Sequence, residues 1–327
     1  MSTVIEPTRD PLVGGRPDSL PEWLRYYAAV IRRYQGWSLR RSEGRFQGLV
    51  AQGIIPRVPS YNVPSKLLVS EEATAPLLHL LLRSAAPVAG IETRFAIDGT
   101  GMRLDAYGPY MGDKHGDNRK HRYLRLHLIV GCLTNIVVGA IITEEYGDGS
   151  GESPKLPLLC EIARKAGFKI EKVTADKAYC SHDNYEYLAS IGAQGFIPFK
   201  SNDTSASRGV PEWKKMFYFF QLQRATFDKE YHERSLIEST NFAIKAKIGD
   251  RIRSKLLTSR VNEALCELIA YNMTVLVHEI TEHKIAIPFA LPGWKVKAPA
   301  SDVIPKGEGP AELCYQTPPT GLPPSHP

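Results

Sequence analysis

The amino-acid sequence predicts an α/β protein, a mixed β-sheet covered by helices on both faces and preceded by a small all-helical region. Three observations predict it. Apolar residues keep a helical period as far as Ala86 and switch to a period of two from Thr93. The period-two part opens with three strand-like segments in succession and then alternates helix with strand, the pattern of a mixed sheet. And 327 residues, 43% hydrophobic and 23% charged, supply a core of the size such a fold needs.

Residues 1–20 mix acids, Pro and Gly and read as a flexible lead. Region 21–90 is helical: EWLRYYAAVIRRYQGW, then SLRRSEGRFQGLVAQG with Gly53 as its stop, a Pro-rich turn IIPRVPSYNVP, and SKLLVSEEATAPLLHLLLRSAA. Region 91–285 carries the sheet. FAIDGTGMRLDAY is the first strand, YLRLHLIVGCLT the second and IVVGAIIT the third, with Thr134-Asn135 as the hairpin turn between the last two. SPKLPLLCEIARKAG is an amphipathic helix stopped by Gly167, and KIEKVTAD a strand ending on an acid. Ser181 caps the helix HDNYEYLASIG, which leads into the short strand GFIPF. About thirty residues later DKEYHERSLIESTNFAIKAKIG reads as one long helix, and Thr258–Glu282 as a last one whose Val261, Leu265, Leu268, Ile269, Asn272 and Val275 close the core. Residues 286–327 form a Pro-rich tail, the last forty residues holding 10 of the 24 prolines.

Composition excludes several classes. No stretch reaches the roughly 18 uninterrupted apolar residues of a membrane span, and Leu124 to Thr143 is broken by Arg125, His127 and Asn135. The amino-terminal residues lack a signal-peptide apolar run, so a soluble, cytoplasmic protein is expected, with no membrane partner. Cys132, Cys160, Cys180, Cys266 and Cys314 are scattered and odd in number, which fits a reducing compartment and argues against a thiolate zinc site. His278 and His283 in HEITEH stand i, i+5, about 140° apart on a helix, and cannot share a metal. No G-x-x-x-x-G-K-[ST] loop occurs, so no nucleotide cofactor is expected. A formal charge of +6 mildly favours a polyanionic partner.

Three acids stand where chemistry needs them. Asp98 interrupts an apolar strand, where an ionised carboxylate is costly unless it is paired or binds a metal. Asp176 ends the KVTAD strand, the place where α/β sheets put ligand groups. Either alone reads equally well as an ordinary strand-end Asp. In YHERSLIESTNFAIK, Tyr231, Arg234, Glu238 and Lys245 are spaced i, i+3, i+7, i+14. On a continuous helix at about 100° per residue these four share one face. An amphipathic helix with a solvated charged side is the plain alternative.

The order β-β-β-α-β-α-β-α is that of a ribonuclease-H-like domain. With D-G-T in an early strand, A-D-K-A-Y in a later one and the Y-x(2)-R-x(3)-E-x(6)-K pattern, residues 38–282 resemble the DDE-type transposases of bacterial insertion sequences, in the branch of insertion sequences 4 and 5. The resemblance implies that Asp98, Asp176 and Glu238 are a catalytic, metal-binding triad and that Tyr231, Arg234 and Lys245 help position the DNA end. It implies hydrolysis of a phosphodiester and strand transfer by the freed 3′-hydroxyl. Two Mg²⁺ about 3.5–4 Å apart, with Mn²⁺ as a substitute, serve such chemistry and prefer carboxylate oxygens. The partners implied are the element's terminal inverted repeats and target DNA, with a homodimer or DNA-induced synapse and a nucleoid-associated location. Further phosphate contacts are expected from Arg119, Lys120 and Arg122 in the loop between the first two strands, and from Lys247, Arg251 and Arg253 beyond Lys245. Arg32, Arg33, Arg40, Arg41 and Arg45 suggest a helix-turn-helix in region 21–90, although Pro64 sits at the start of its next helix. Two other readings remain: a transposase-derived DNA binder without catalysis, and a general nuclease on the same fold.

Overall fold

The computed structural model describes residues 20–104, 123–144, 151–206 and 208–283. The expected loop cations Arg119, Lys120 and Arg122, the lead before Leu20 and the tail after His283 lie outside them.

The chain enters through α1 (Glu22–Tyr34) and α2 (Leu39–Ala51). Ser38 caps α2 by accepting from the Arg41 backbone N–H, and Gly53, at φ +70°, takes the left-handed conformation that ends it at little cost. Leu24, Ala28, Phe46 and Ile55 bury a small apolar core of their own between these helices. α3 (Asn62–Val69) holds Pro64 in its first turn, where the missing N–H has no helical partner to lose. The run from Ser65 to Ala86, expected as one helix, is broken: α4 starts afresh at Thr74 and ends at Ala85. The break has a tertiary cause, since the buried Asn262 amide donates to the carbonyls of Leu68 (3.0 Å) and Ser70 (2.9 Å), which a continuous helix would have used internally.

The sheet is five-stranded, in the order β3-β2-β1-β4-β5. β1 (Arg94–Arg103), β2 (Tyr123–Gly131) and β3 (Val137–Glu144) form the antiparallel part. Asn135, at φ 60°, turns the chain between the last two. After α5 (Lys155–Lys165), β4 (Lys172–Ala175) pairs parallel with β1, placing Ala175 beside Ile97. α6 (His182–Ser190), capped by Ser181, leads to β5 (Gln194–Phe196), parallel to β4. A mixed sheet with helices between its parallel strands is what the sequence predicts.

The segment after β5, left unassigned by the sequence, contains α7 (Pro211–Leu222). It buries Trp213, Met216 and Phe220 in an aromatic cluster with Phe199 and Tyr185. The long helix expected next is two helices, α8 (Arg224–Tyr231) and α9 (Ser235–Lys247), joined by a tight 3₁₀ turn over His232–Arg234. α10 (Leu257–His283) then runs through the core, and Asn272 bonds both backbone groups of Val137 (2.9 and 2.7 Å), tying it to the start of β3. α5 covers the sheet face that bears Gly139, where a Cβ would stand 2.6 Å from Ile162. Asp98 pairs with Leu128, one residue out of phase with Gly139's partner Ile129, so its side chain leaves by the opposite face, the one that receives α9. No described helix is long and apolar enough to cross a membrane.

Candidate active site

The site is built where the carboxyl ends of β1 and β4 lie side by side. Asp98 is in β1, and Asp176 follows the last residue of β4, so the parallel pairing of Ile97 with Ala175 sets both acids at the same level. Asp176 also opens a 3₁₀ turn by accepting from the Lys177 backbone N–H. Glu238 arrives from the first turn of α9. What joins them is Arg234. Its guanidinium lies 3.8 Å from Asp98 Oδ1, 3.7 Å from Asp176 Oδ2 and 2.7 Å from Glu238 Oε1. One cation therefore answers three carboxylates from three separate elements.

The expected stripe on a continuous helix needs correction, because the 3₁₀ turn lies between Tyr231 and Glu238. The four side chains still converge. Arg234 and Glu238 remain an i, i+4 pair across the start of α9. Tyr231 is half-buried on Phe227, and both Asp176 and Asp98 act on its phenol. Lys245 is half-buried and feels Asp250 and Asp98; burial pushes its ammonium below the usual lysine range. Asp98 is held above the ordinary carboxylate range, first by burial, which Arg234 opposes, and then by the like charges of Glu152 and Asp176.

The outlying cations separate. Lys247 points away from this cluster, lining a cavity of about 280 Å³ with Thr240, Tyr271 and His278. Arg251 and Arg253 follow α9 in a segment that bonds to the end of β1: Arg103 donates to the Asp250 carbonyl (2.8 Å) and Ile252 to the Arg103 carbonyl (2.9 Å). Arg253 is exposed and Arg251 half-buried, with its backbone carbonyl taken by Arg33. In the amino-terminal helices the five arginines also divide. Arg40, Arg41 and Arg45 are exposed, whereas Arg32 and Arg33 are buried, so the latter two are structural cations and not part of an outward basic face.

Three residues that the sequence did not single out also border Asp98. Arg125 of β2 is ion-paired with Glu152, and both lie over Gly99, where a Cβ would meet Arg125 Nε and Glu152 Oε1 at 3.2 Å each. The Tyr179 hydroxyl is buried and finds no hydrogen-bond partner among the described residues. The signal available in the sequence was weak: a Glu just ahead of a helix, and a Tyr inside A-D-K-A-Y.

The donor set is oxygen-rich and anionic, which suits a hard divalent cation such as Mg²⁺. Among the described residues, no three His, Cys, Asp or Glu side chains stand close enough to close a metal shell as they are placed, because the guanidinium of Arg234 lies between the acids.

The model of the Transposase DDE domain family matches residues 90–273, more than half of the chain and the whole of β1 to β5. The chain belongs to that family. Among solved structures it is similar to a piggyBac transposase in a synaptic complex with hairpin DNA, with a TM-score of 0.42 and 10% identity over 85% of this chain and 70% of that one. Within the DDE domain, the family match spans Asp98, Asp176 and Glu238 together with Tyr231, Arg234 and Lys245.

Proposed function

We propose that this chain is an insertion-sequence transposase that cuts DNA and transfers the freed strand, with Asp98, Asp176 and Glu238 as its metal-binding and catalytic acids. The observation that carries the reading is the gathering of three carboxylates from β1, the end of β4 and α9 around one guanidinium. Membership of the DDE family supports it. The order of three antiparallel strands followed by two parallel ones supports a ribonuclease-H-like domain.

Divalent cations of the Mg²⁺ class, held by these acids, would make an attacking oxygen available at neutral pH and stabilise the leaving one. The remaining work falls to the chain's own cations. Arg234 neutralises the three acids and presents a planar donor set suited to a phosphate oxygen. Lys245 supplies a compact charge on the same side, and Tyr231 a phenol beside both. Arg251 and Arg253, leaving α9 along the end of β1, extend a positive path for the backbone of one DNA strand. The exposed Arg40, Arg41 and Arg45 of α2 support a DNA-contacting role for region 21–90, with region 91–285 as the catalytic domain.

Supercoiled plasmid incubated with the parent in Mg²⁺ or Mn²⁺, beside Asp176→Asn purified identically, tests the reading. Nicking by the parent alone is the expected result, and sequencing the products separates joining from simple cleavage. Equal nicking by both proteins would sink it.

A further inference from the structure

We propose that Glu152 is a fourth carboxylate of this site, sharing a divalent cation with Asp98 once it parts from Arg125, and that Tyr179 is the positioning residue that donates a hydrogen bond to it. The inference rests on the metal-dependent reading above and extends it to residues on the other face of β1.

Four observations support the assignment. Glu152 stands at the entrance to α5, and its carboxylate reaches the strand only because residue 99 is glycine: a Cβ there would crowd Glu152 Oε1 at 3.2 Å. Its charge acts directly on Asp98, raising that acid's proton affinity along with Asp176. The Tyr179 phenol is fully buried, yet its hydroxyl has no partner among the described residues. It lies in the field of Glu152, Asp98, Arg125 and Asp176, in that order of strength after burial. An orphaned buried donor facing acids is costly unless an acceptor reaches it at some stage of the protein's work.

The scaffold is fixed. The buried Asn184 amide donates to the Tyr179 carbonyl (2.7 Å) and to the Ser153 carbonyl (3.0 Å), locking together the two segments that carry Tyr179 and Glu152. The Ser181 hydroxyl, which caps α6, also bonds Ser153 Oγ at 3.1 Å. Only the side chain of Glu152 is left to choose between Arg125 and a cation. Arg125 is a partly exposed guanidinium, a competitor that water can accommodate when the carboxylate leaves. Ligating carboxylates are ordinarily held by a hydrogen bond to their outer oxygen, and Tyr179 is placed to supply one.

Mn²⁺ uptake by the full chain without DNA, followed through loss of the free-ion paramagnetic resonance signal, tests this apart from activity. Glu152→Gln and Tyr179→Phe should each weaken Mn²⁺ binding by about tenfold, the lower end of outer-shell effects. Arg125→Gln should tighten it by about threefold, because the competitor for Glu152 is gone while ordinary charge loss remains small. That opposite sign cannot arise from damaged folding. Parent-like affinity in both Glu152→Gln and Arg125→Gln, with Asp98→Asn losing the ion, would overturn the role of Glu152 and leave the triad standing. Failure of the parent itself to take up Mn²⁺, indistinguishable from Asp98→Asn, would overturn both readings.

Discussion

Two arginines in this chain each gather more than one carboxylate, and their surroundings could hardly differ more. Arg33 of α1 reaches Glu263 at 3.2 Å and Glu267 in a closer contact, both on α10, with all three side chains no more than 3% exposed. Glu263 is further held by the backbone N–H groups of Arg253 (3.2 Å) and Ser254 (2.8 Å), and Arg33 also donates to the Arg251 carbonyl (3.0 Å). Arg234 faces Asp98, Asp176 and Glu238, whose side chains are 16%, 38% and 57% exposed, at the open ends of two strands. The first cluster is enclosed and pinned by fixed backbone donors, so its charges cannot exchange partners. The second is open on one side, and only one of its three contacts is at hydrogen-bonding distance. Residue chemistry alone does not separate cement from a reactive site; burial and the number of immovable donors do.

The largest expected effect breaks the comparison on stability. Arg33→Ala should cost about 3–5 kcal/mol in urea unfolding, since it strands two buried carboxylates, whereas Arg234→Ala should cost less than about 1 kcal/mol because its acids can be hydrated. Equal losses would remove the distinction. Next comes pH. Burial and the competing charge of Glu263 push the Glu267 carboxyl up to about 8, against the pull of Arg33. A carboxyl raised on folding contributes stability that is complete below its unfolded value near pH 4 and is lost as pH rises through about 8. The parent's melting temperature should therefore fall between pH 6 and pH 9, and Glu267→Gln should flatten that fall; an unchanged slope would show that the carboxyl titrates normally. The smallest effect belongs to the Arg234–Glu238 pair. Glu238→Gln should shift stability by no more than a few tenths of a kcal/mol, as exposed i, i+4 pairs do, which melting curves at low and high salt will resolve.

The elements that carry strong periodicity were legible without coordinates. β1 to β3, α5 with its Gly167 stop, α6 with its Ser181 cap and α10 all lie where the sequence puts them. The misses share a cause. The break between α3 and α4 depends on Asn262, nearly two hundred residues away, and no local pattern announces a side chain that captures another helix's carbonyls. The 3₁₀ turn at His232–Arg234 looks helical in sequence because its residues are ordinary helix formers. α7 was hidden by an aromatic-rich composition whose packing partners, Phe199 and Tyr185, come from other elements.

For the site, sequence determined the residue types and their approximate address: an acid within an apolar strand, an acid ending another, and an Arg and Glu one helical turn apart. Those follow from local rules of period and burial cost. Tertiary structure decided which of them meet. Parallel pairing of β4 with β1 levels Asp98 with Asp176, and the turn before α9 swings Arg234 in among the acids. Tertiary structure likewise sent Arg33 inward and left Arg40, Arg41 and Arg45 outside, although all five arginines occupy the same short helical region. Periodicity is a property of neighbours along the chain, whereas the field at a carboxylate is set by groups that folding brings from far away.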